Sequence, residues 1–109
     1  MLDFDHNDKK ILITKIKNNS KIIGVYPPQK IILKNLKKRW GSVTKKDTLN
    51  FNRNLMKAPT DIIDYIIIHE LCHLKIKEHS HHYWDLVRKY VPDYQDKEDW
   101  LRANAAMLL

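Results

Sequence analysis

Five consecutive residues constrain this chain more than any others: His69-Glu70-Leu71-Cys72-His73, set inside a stretch that is apolar nearly all round. That stretch carries Ile62, Ile63, Tyr65, Ile66, Ile67, Ile68, Leu71, Cys72 and Leu74. A helix apolar on every side belongs at the centre of a domain. Pro59 suits a first helical position, and Asp61 and Asp64 complement the positive end of the helix dipole. An α-helix turns once in about 3.6 residues, so His69 and His73 share one face and can hold one Zn²⁺ through neutral imidazoles. Glu70 sits beside that line, able to serve as a base without occupying the metal. The competing reading is a structural His/Glu cluster. Burying such groups among isoleucines without partners costs several kcal/mol, and the metal reading is the stronger one.

The rest of the chain predicts strands first and helices afterwards, an α+β layout. Lys10–Lys17, rich in β-branched residues, reads as a strand, and Asn18-Asn19-Ser20 as a turn. Lys21–Val25 reads as a second short strand ended by Pro27-Pro28, and Ile31–Leu36 as a third. Thr48–Asn52 alternates in a way that suggests a hairpin partner for the third strand, across the polar Lys45-Lys46-Asp47 turn. Ser80 can cap a helix running to about Tyr90 with Tyr83, Trp84, Leu86 and Val87 as its apolar stripe. Pro92 breaks that helix, and Asp93 or a neighbour opens a last one carrying Trp100, Leu101 and Leu108.

Composition narrows the function classes. A chain of 109 residues, 43% of them hydrophobic, supports one core, so residues 1–109 are expected to form one domain. The single cysteine, Cys72, excludes an intrachain disulfide framework and fits a reducing, cytoplasmic compartment. No apolar run approaches the ~18 residues a membrane span needs, and Met1–His6 shows no leader pattern. With two glycines in all, a glycine-rich phosphate loop is excluded. The net charge of +7 has two readings. Solvated lysines on strand edges and helix faces are the favoured one. Association with DNA is the other, because Lys30, Lys34, Lys37, Lys38, Arg39, Lys45 and Lys46 cluster in sequence.

A catalytic zinc needs a third protein ligand and an open fourth position. His79 lies six residues beyond His73, just ahead of the Ser80 cap, where a chain reversal could return it to the metal. His81, His82 and a carboxylate such as Glu98 are its rivals. Donors for a developing oxyanion are sought among Arg39, Tyr83 and His82. The Arg39-Trp40-Gly41-Ser42 turn is weighed first as structure, with Trp40 as a core plug, and second as a cleft wall for an extended peptide.

At this point the residues resemble a known family. Arg39-Trp40-Gly41-Ser42, Phe51-Asn52, Leu55, Ala58-Pro59, Asp64-Tyr65, His69–Leu74, His79-Ser80, Tyr83-Trp84 and Pro92-Asp93-Tyr94 follow one another as in the YgjP-like metallopeptidases. These are relatives of the SprT and WLM zinc peptidases in the zincin superfamily. The resemblance covers about Ile31 to the C-terminus, whereas residues 1–30 fit the pattern poorly. Val43 stands where the family pattern usually has a cysteine. The resemblance implies a zincin-like fold, with a small antiparallel or mixed sheet packed on the active-site helix and two more helices after it. It implies zinc held by His69, His73 and His79, with Glu70 as catalytic base. The expected substrate is a peptide or unfolded protein, held near Arg39, Trp40, Gly41, Ser42 and Tyr83. The alternative function is a minimal zincin-like scaffold that binds metal and a protein or DNA partner without hydrolysis.

Overall fold

The computed structural model describes residues 4–108; residues 1–3, part of the stretch read above as leader-free, lie outside the described residues. Among the described residues, four α-helices and a three-stranded sheet follow in the order α1 (Phe4–Ile23), β1 (Ile31–Lys34), β2 (Gly41–Val43), β3 (Leu49–Asn52), α2 (Thr60–Cys72), α3 (His81–Tyr90) and α4 (Tyr94–Ala103). The expected α+β layout, with a small mixed sheet on the motif helix and two helices after it, is the observed one.

Helix α2 is the hub. Ile62, Ile63, Tyr65, Ile66, Ile67, Ile68, Glu70, Leu71 and Cys72 are all buried along it, as its all-round apolarity requires. Helix α1 packs along it, α3 and α4 lean against it, and β2 passes over it. Its first acidic residues tie down two neighbours: Asp64 takes Lys15 of α1 at 3.2 Å, and Asp61 takes Lys97 of α4 at 3.2 Å.

The N-terminal segment corrects the sequence expectation. Lys10–Lys17 and Lys21–Val25 are not two strands; α1 runs through the first and on to Ile23. Leu12, Ile16, Asn19, Ser20 and Ile23 are its buried positions, spaced by four, three, one and three, which is helical periodicity. The β-branched isoleucines that suggested a strand are overridden by packing on α2. Asn18-Asn19-Ser20 is no turn: the Asn19 amide donates to the Lys15 carbonyl one turn back at 3.0 Å. The helix stops at Gly24, whose φ of 81° is the left-handed cap conformation. Both Gly24 N–H (2.8 Å) and Val25 N–H (3.0 Å) donate to Ser20 O there.

The sheet carries a second correction. Thr48–Asn52 is not the hairpin partner of the third predicted strand. Strand β3 lies in the middle, parallel to β1 (Ile31 opposite Leu49) and antiparallel to β2 (Ser42 opposite Asn50). The short turn between Thr44 and Thr48 therefore joins β2 to β3. The Thr44 hydroxyl accepts from the Lys46 and Thr48 amides, and Asp47 takes φ 59°. A three-residue strand opening on glycine leaves too little alternation to be seen in sequence. Leu108 likewise lies beyond α4, on a 3₁₀ turn over Ala105–Leu108.

Asn52, fully buried, locks the β1–β2 connection. Its side-chain amide donates to the carbonyls of Leu36 and of Arg39 (3.2 Å), and its own N–H donates to Trp40 O at 2.8 Å. Its side-chain Oδ1 accepts from Asn54 N–H at 2.8 Å, capping a 3₁₀ turn over Arg53–Lys57. Asn52→Leu fills the same space but strands those buried partners, each worth about 1–3 kcal/mol when left unpaired. A clear fall in melting temperature is expected. An unchanged one would show that the Leu36–Trp40 segment needs no such clamp.

Candidate metal centre

His69, Glu70 and His73 project from the last turn and a half of α2, and the chain then reverses. Leu74 N–H donates to Leu71 O, and the Lys75 and Ile76 amides donate to Cys72 O, all at 3.0 Å. The reversal ends at Ser80, whose hydroxyl accepts from Tyr83 N–H and caps α3. His79, immediately before that cap, is thereby carried back over the motif. Side-chain donor atoms of His69, His73 and His79 all lie within 4.8 Å of one another. Among the described residues, this is the group of metal-ligating side chains that converges so closely.

The hydrogen bonds around the imidazoles suit a metal. His73 Nδ1 lies 3.0 Å from the Ile76 carbonyl, which can only accept, so Nδ1 carries the proton and Nε2 the lone pair. That Nε2 stands 3.0 Å from His79 Nε2, close to the roughly 3.3 Å between two nitrogens on a tetrahedral zinc-sized ion. Two imidazole nitrogens facing each other so closely need a proton or a cation between them. The donor set fits a metal ion. Burial is the main influence on His73, lowering its pKa below the ordinary imidazole value and favouring the neutral, ligating form.

The aromatic residues of α3 form the backing of the site. Tyr83 is fully buried, stacks on the His73 ring at 4.2 Å, and donates its hydroxyl to the His69 carbonyl at 2.7 Å. It therefore stands behind the imidazoles and is not part of the cleft lining. Trp84 stacks on His79 at 5.9 Å and on Tyr94 at 5.1 Å. The sequence places Trp84 on the apolar stripe of α3, and its stacking on His79 is a contact that this placement did not reveal.

The rival ligands fall elsewhere. His81 and His82 are exposed and lie against each other at 4.0 Å. Glu98 accepts the Tyr65 hydroxyl at 2.6 Å and is outside the converging group. Cys72, within the motif, is fully buried and its thiol is pushed up to about 12 by that burial, an inert core residue.

In front of the imidazoles opens a cleft of about 700 Å³. Arg39, Gly41, Ser42 and Val43 form one wall, and His69, Glu70, His73 and His79 the other. Trp40 turns away from this cleft, packs against Trp100 at 6.3 Å, and helps line a smaller adjoining hollow. Glu70 is 5% exposed, with Oε2 3.1 Å from His69 Nδ1. Gly41 makes room for it. A Cβ there would meet Glu70 Cγ at 3.3 Å and the Asn50 carbonyl at 3.2 Å, so a larger residue would crowd the carboxylate stem and push it or β2 aside by a few tenths of an ångström.

Acid should empty such a site. Protons compete with a metal for the same lone pairs, so occupancy is expected to fall as pH drops through the imidazole range near ~6.5. For the metal-free chain the sign is the same. An unfolded His73 gains its proton near ~6.5 while the folded one resists it, so stability is lost as pH falls below that value toward the lower folded pKa. Metal analysis after dialysis across this range checks the first point; occupancy unchanged to about pH 4 would exclude imidazole ligands.

The structure is similar to two solved metallopeptidase zymogens. One is Pyrococcus abyssi abylysin, 26% identical, with a TM-score of 0.77 over 85% of this chain and 93% of that one. The other is Methanocaldococcus jannaschii jannalysin, with a TM-score of 0.74 over 85% of this chain and 95% of that one. At 22% identity the second shows the shared fold alone. No curated protein matches the sequence. The profile of the YgjP-like metallopeptidase domain matches residues 4–104, reaching back through α1, which the sequence resemblance had left out. With the motif helix, a histidine triad able to hold a metal ion and the cleft in place, the chain belongs to the YgjP-like metallopeptidase family.

Proposed function

We propose that this metallopeptidase uses zinc, held by His69, His73 and His79, and cuts extended peptides or unfolded protein segments with Glu70 as general base. The observation that carries the reading is the convergence of three imidazoles within 4.8 Å beside a nearly buried glutamate at a cleft wall. When bound, zinc acidifies a water and polarises the scissile carbonyl. The residues of the chain do the rest. Glu70 accepts a proton at its carboxylate and hands it to the departing amine nitrogen. Of the three donors considered for the developing oxyanion, Arg39 alone lines the cleft; the Tyr83 hydroxyl is engaged by the His69 carbonyl. Tyr83 serves as a positioning residue, fixing the plane of His73 and the end of α2. Ser42 and Val43, on the edge strand β2, offer backbone groups to a substrate laid along the cleft.

We assign these roles to one domain over residues 1–109, acting in the cytoplasm, where a lone thiol such as Cys72 is kept reduced. No described helix is long and apolar enough to cross a membrane. The test is reconstitution. The zinc-loaded chain is expected to bind one equivalent, to lose thermal stability on chelation, and to cleave an unfolded protein such as reduced casein until EDTA is added. Zinc binding without cleavage would favour a metal-binding scaffold that acts through a partner.

A further inference from the structure

The metal-centre cleft does not end at the metal ligands. A second hollow of about 360 Å³ adjoins it, and the two share Arg39, Gly41, His69 and Glu70. Together they make one groove that crosses the motif helix. Its charge is one-sided. Lys45 and Lys77 flank the first arm, Lys38 and Arg102 the second, and Arg39 stands at the junction. The acidic residues lining either arm are Glu70 and Glu98, and both are occupied, Glu70 beside His69 and Glu98 by the Tyr65 hydroxyl. Lys77 is paired with Asp47 at 2.8 Å and Arg102 with Asp99 at 2.8 Å. Lys38, Arg39 and Lys45 are exposed and have no carboxylate within ion-pair distance among the described residues. Unpaired cations therefore stand on both sides of the point where a peptide bond would be cut.

We propose that this groove selects peptides with Asp or Glu side chains on both sides of the scissile bond, read by Lys45 on one arm and Lys38 on the other. The proposal rests on the peptidase reading above and adds the substrate class to it. Like-signed charges along a groove with low-dielectric walls raise the local concentration of the opposite charge. A basic peptide would meet repulsion at both arms. Nucleic acid is the other polyanion the cations could face. Non-specific single-strand binding also needs exposed aromatic platforms for the bases; Trp40, which lines the second arm, is half-buried and packed against Trp100, and the exposed Tyr26 borders a different hollow. Acidic protein is the better fit.

Three fluorogenic peptides test this, identical at the centre and flanked on both sides by Glu, Gln or Lys. With the zinc-loaded protein, kcat/KM is expected to be about five- to tenfold higher for the Glu peptide than for the Gln peptide, and lowest for the Lys peptide, the order of effect two exposed ion pairs provide. The difference should lie in KM, fade at high salt, and reverse between the Glu and Lys peptides in the double variant Lys38→Glu/Lys45→Glu. Binding of the same peptides to zinc-loaded Glu70→Gln, read by fluorescence anisotropy, should follow the same order without turnover. Equal kcat/KM for all three peptides would overturn the charge selection and leave the peptidase reading standing. Tighter binding of the Glu peptide with no cleavage of any would sustain the selection and overturn the peptidase reading. Equal binding of all three would overturn the selection whether or not cleavage occurs. Displacement of the Glu peptide by a single-stranded oligonucleotide of equal charge, at lower concentration than by the peptide itself, would reassign the cations to nucleic acid.

Discussion

Glu70→Gln is expected to leave the fold and the bound metal in place while hydrolysis falls about 100- to 10,000-fold, the usual consequence of removing a general base. The substitution is nearly isosteric. It keeps the stem that passes beneath Gly41, and Glu70 lies outside the converging imidazole group, so no ligand is lost. What disappears is the ability to accept a proton at neutral pH. Activity on a peptide and zinc content on the same sample separate the two roles. Loss of zinc in the variant would make Glu70 a ligand or a structural partner of His69, whose Nδ1 it faces at 3.1 Å. Full activity would place the base elsewhere.

Replacement of the third imidazole should be nearly as severe, through affinity instead of chemistry. His79→Ala removes one of three protein ligands and is expected to weaken zinc binding by more than the roughly 10- to 100-fold that loss of an outer partner costs. His81→Ala and His82→Ala, on exposed rings that lie against each other, should bind zinc as the parent does. Competition titration with a chromophoric chelator reads all three. A damaging His81→Ala or His82→Ala with a harmless His79→Ala would reverse the assignment.

The parts that sequence conveyed best were those where periodicity and chemistry agree. The apolar run from Ile62 admits one structure, a buried helix, and its two histidines four apart follow from the helical turn. Ser80 caps α3 as its position before an apolar stripe implied. His79 was reachable because a cap fixes the direction of the residue before it. Where local preference and packing conflict, sequence misled. The isoleucines of Lys10–Lys17 favour strand locally, and only the burial of Leu12, Ile16 and Ile23 against α2 makes them helix. Gly24, which terminates α1, was hidden inside a supposed strand. The order of the sheet depends on pairings that no local pattern records: Leu49–Asn52 sits between a parallel and an antiparallel neighbour. The closeness of Gly41 to Glu70 and the placing of Tyr83 behind His73 are also tertiary facts, joining residues from different elements.

A crystal structure of the zinc-reconstituted protein, with anomalous data collected at the zinc edge, decides which side chains hold the ion. One strong peak per chain is expected, with imidazole nitrogens of His69, His73 and His79 at about 2.0–2.1 Å and a fourth position open to the cleft. A peak ligated by Glu98, His81 or His82 in place of His79, or by the Glu70 carboxylate, would contradict that ligand set.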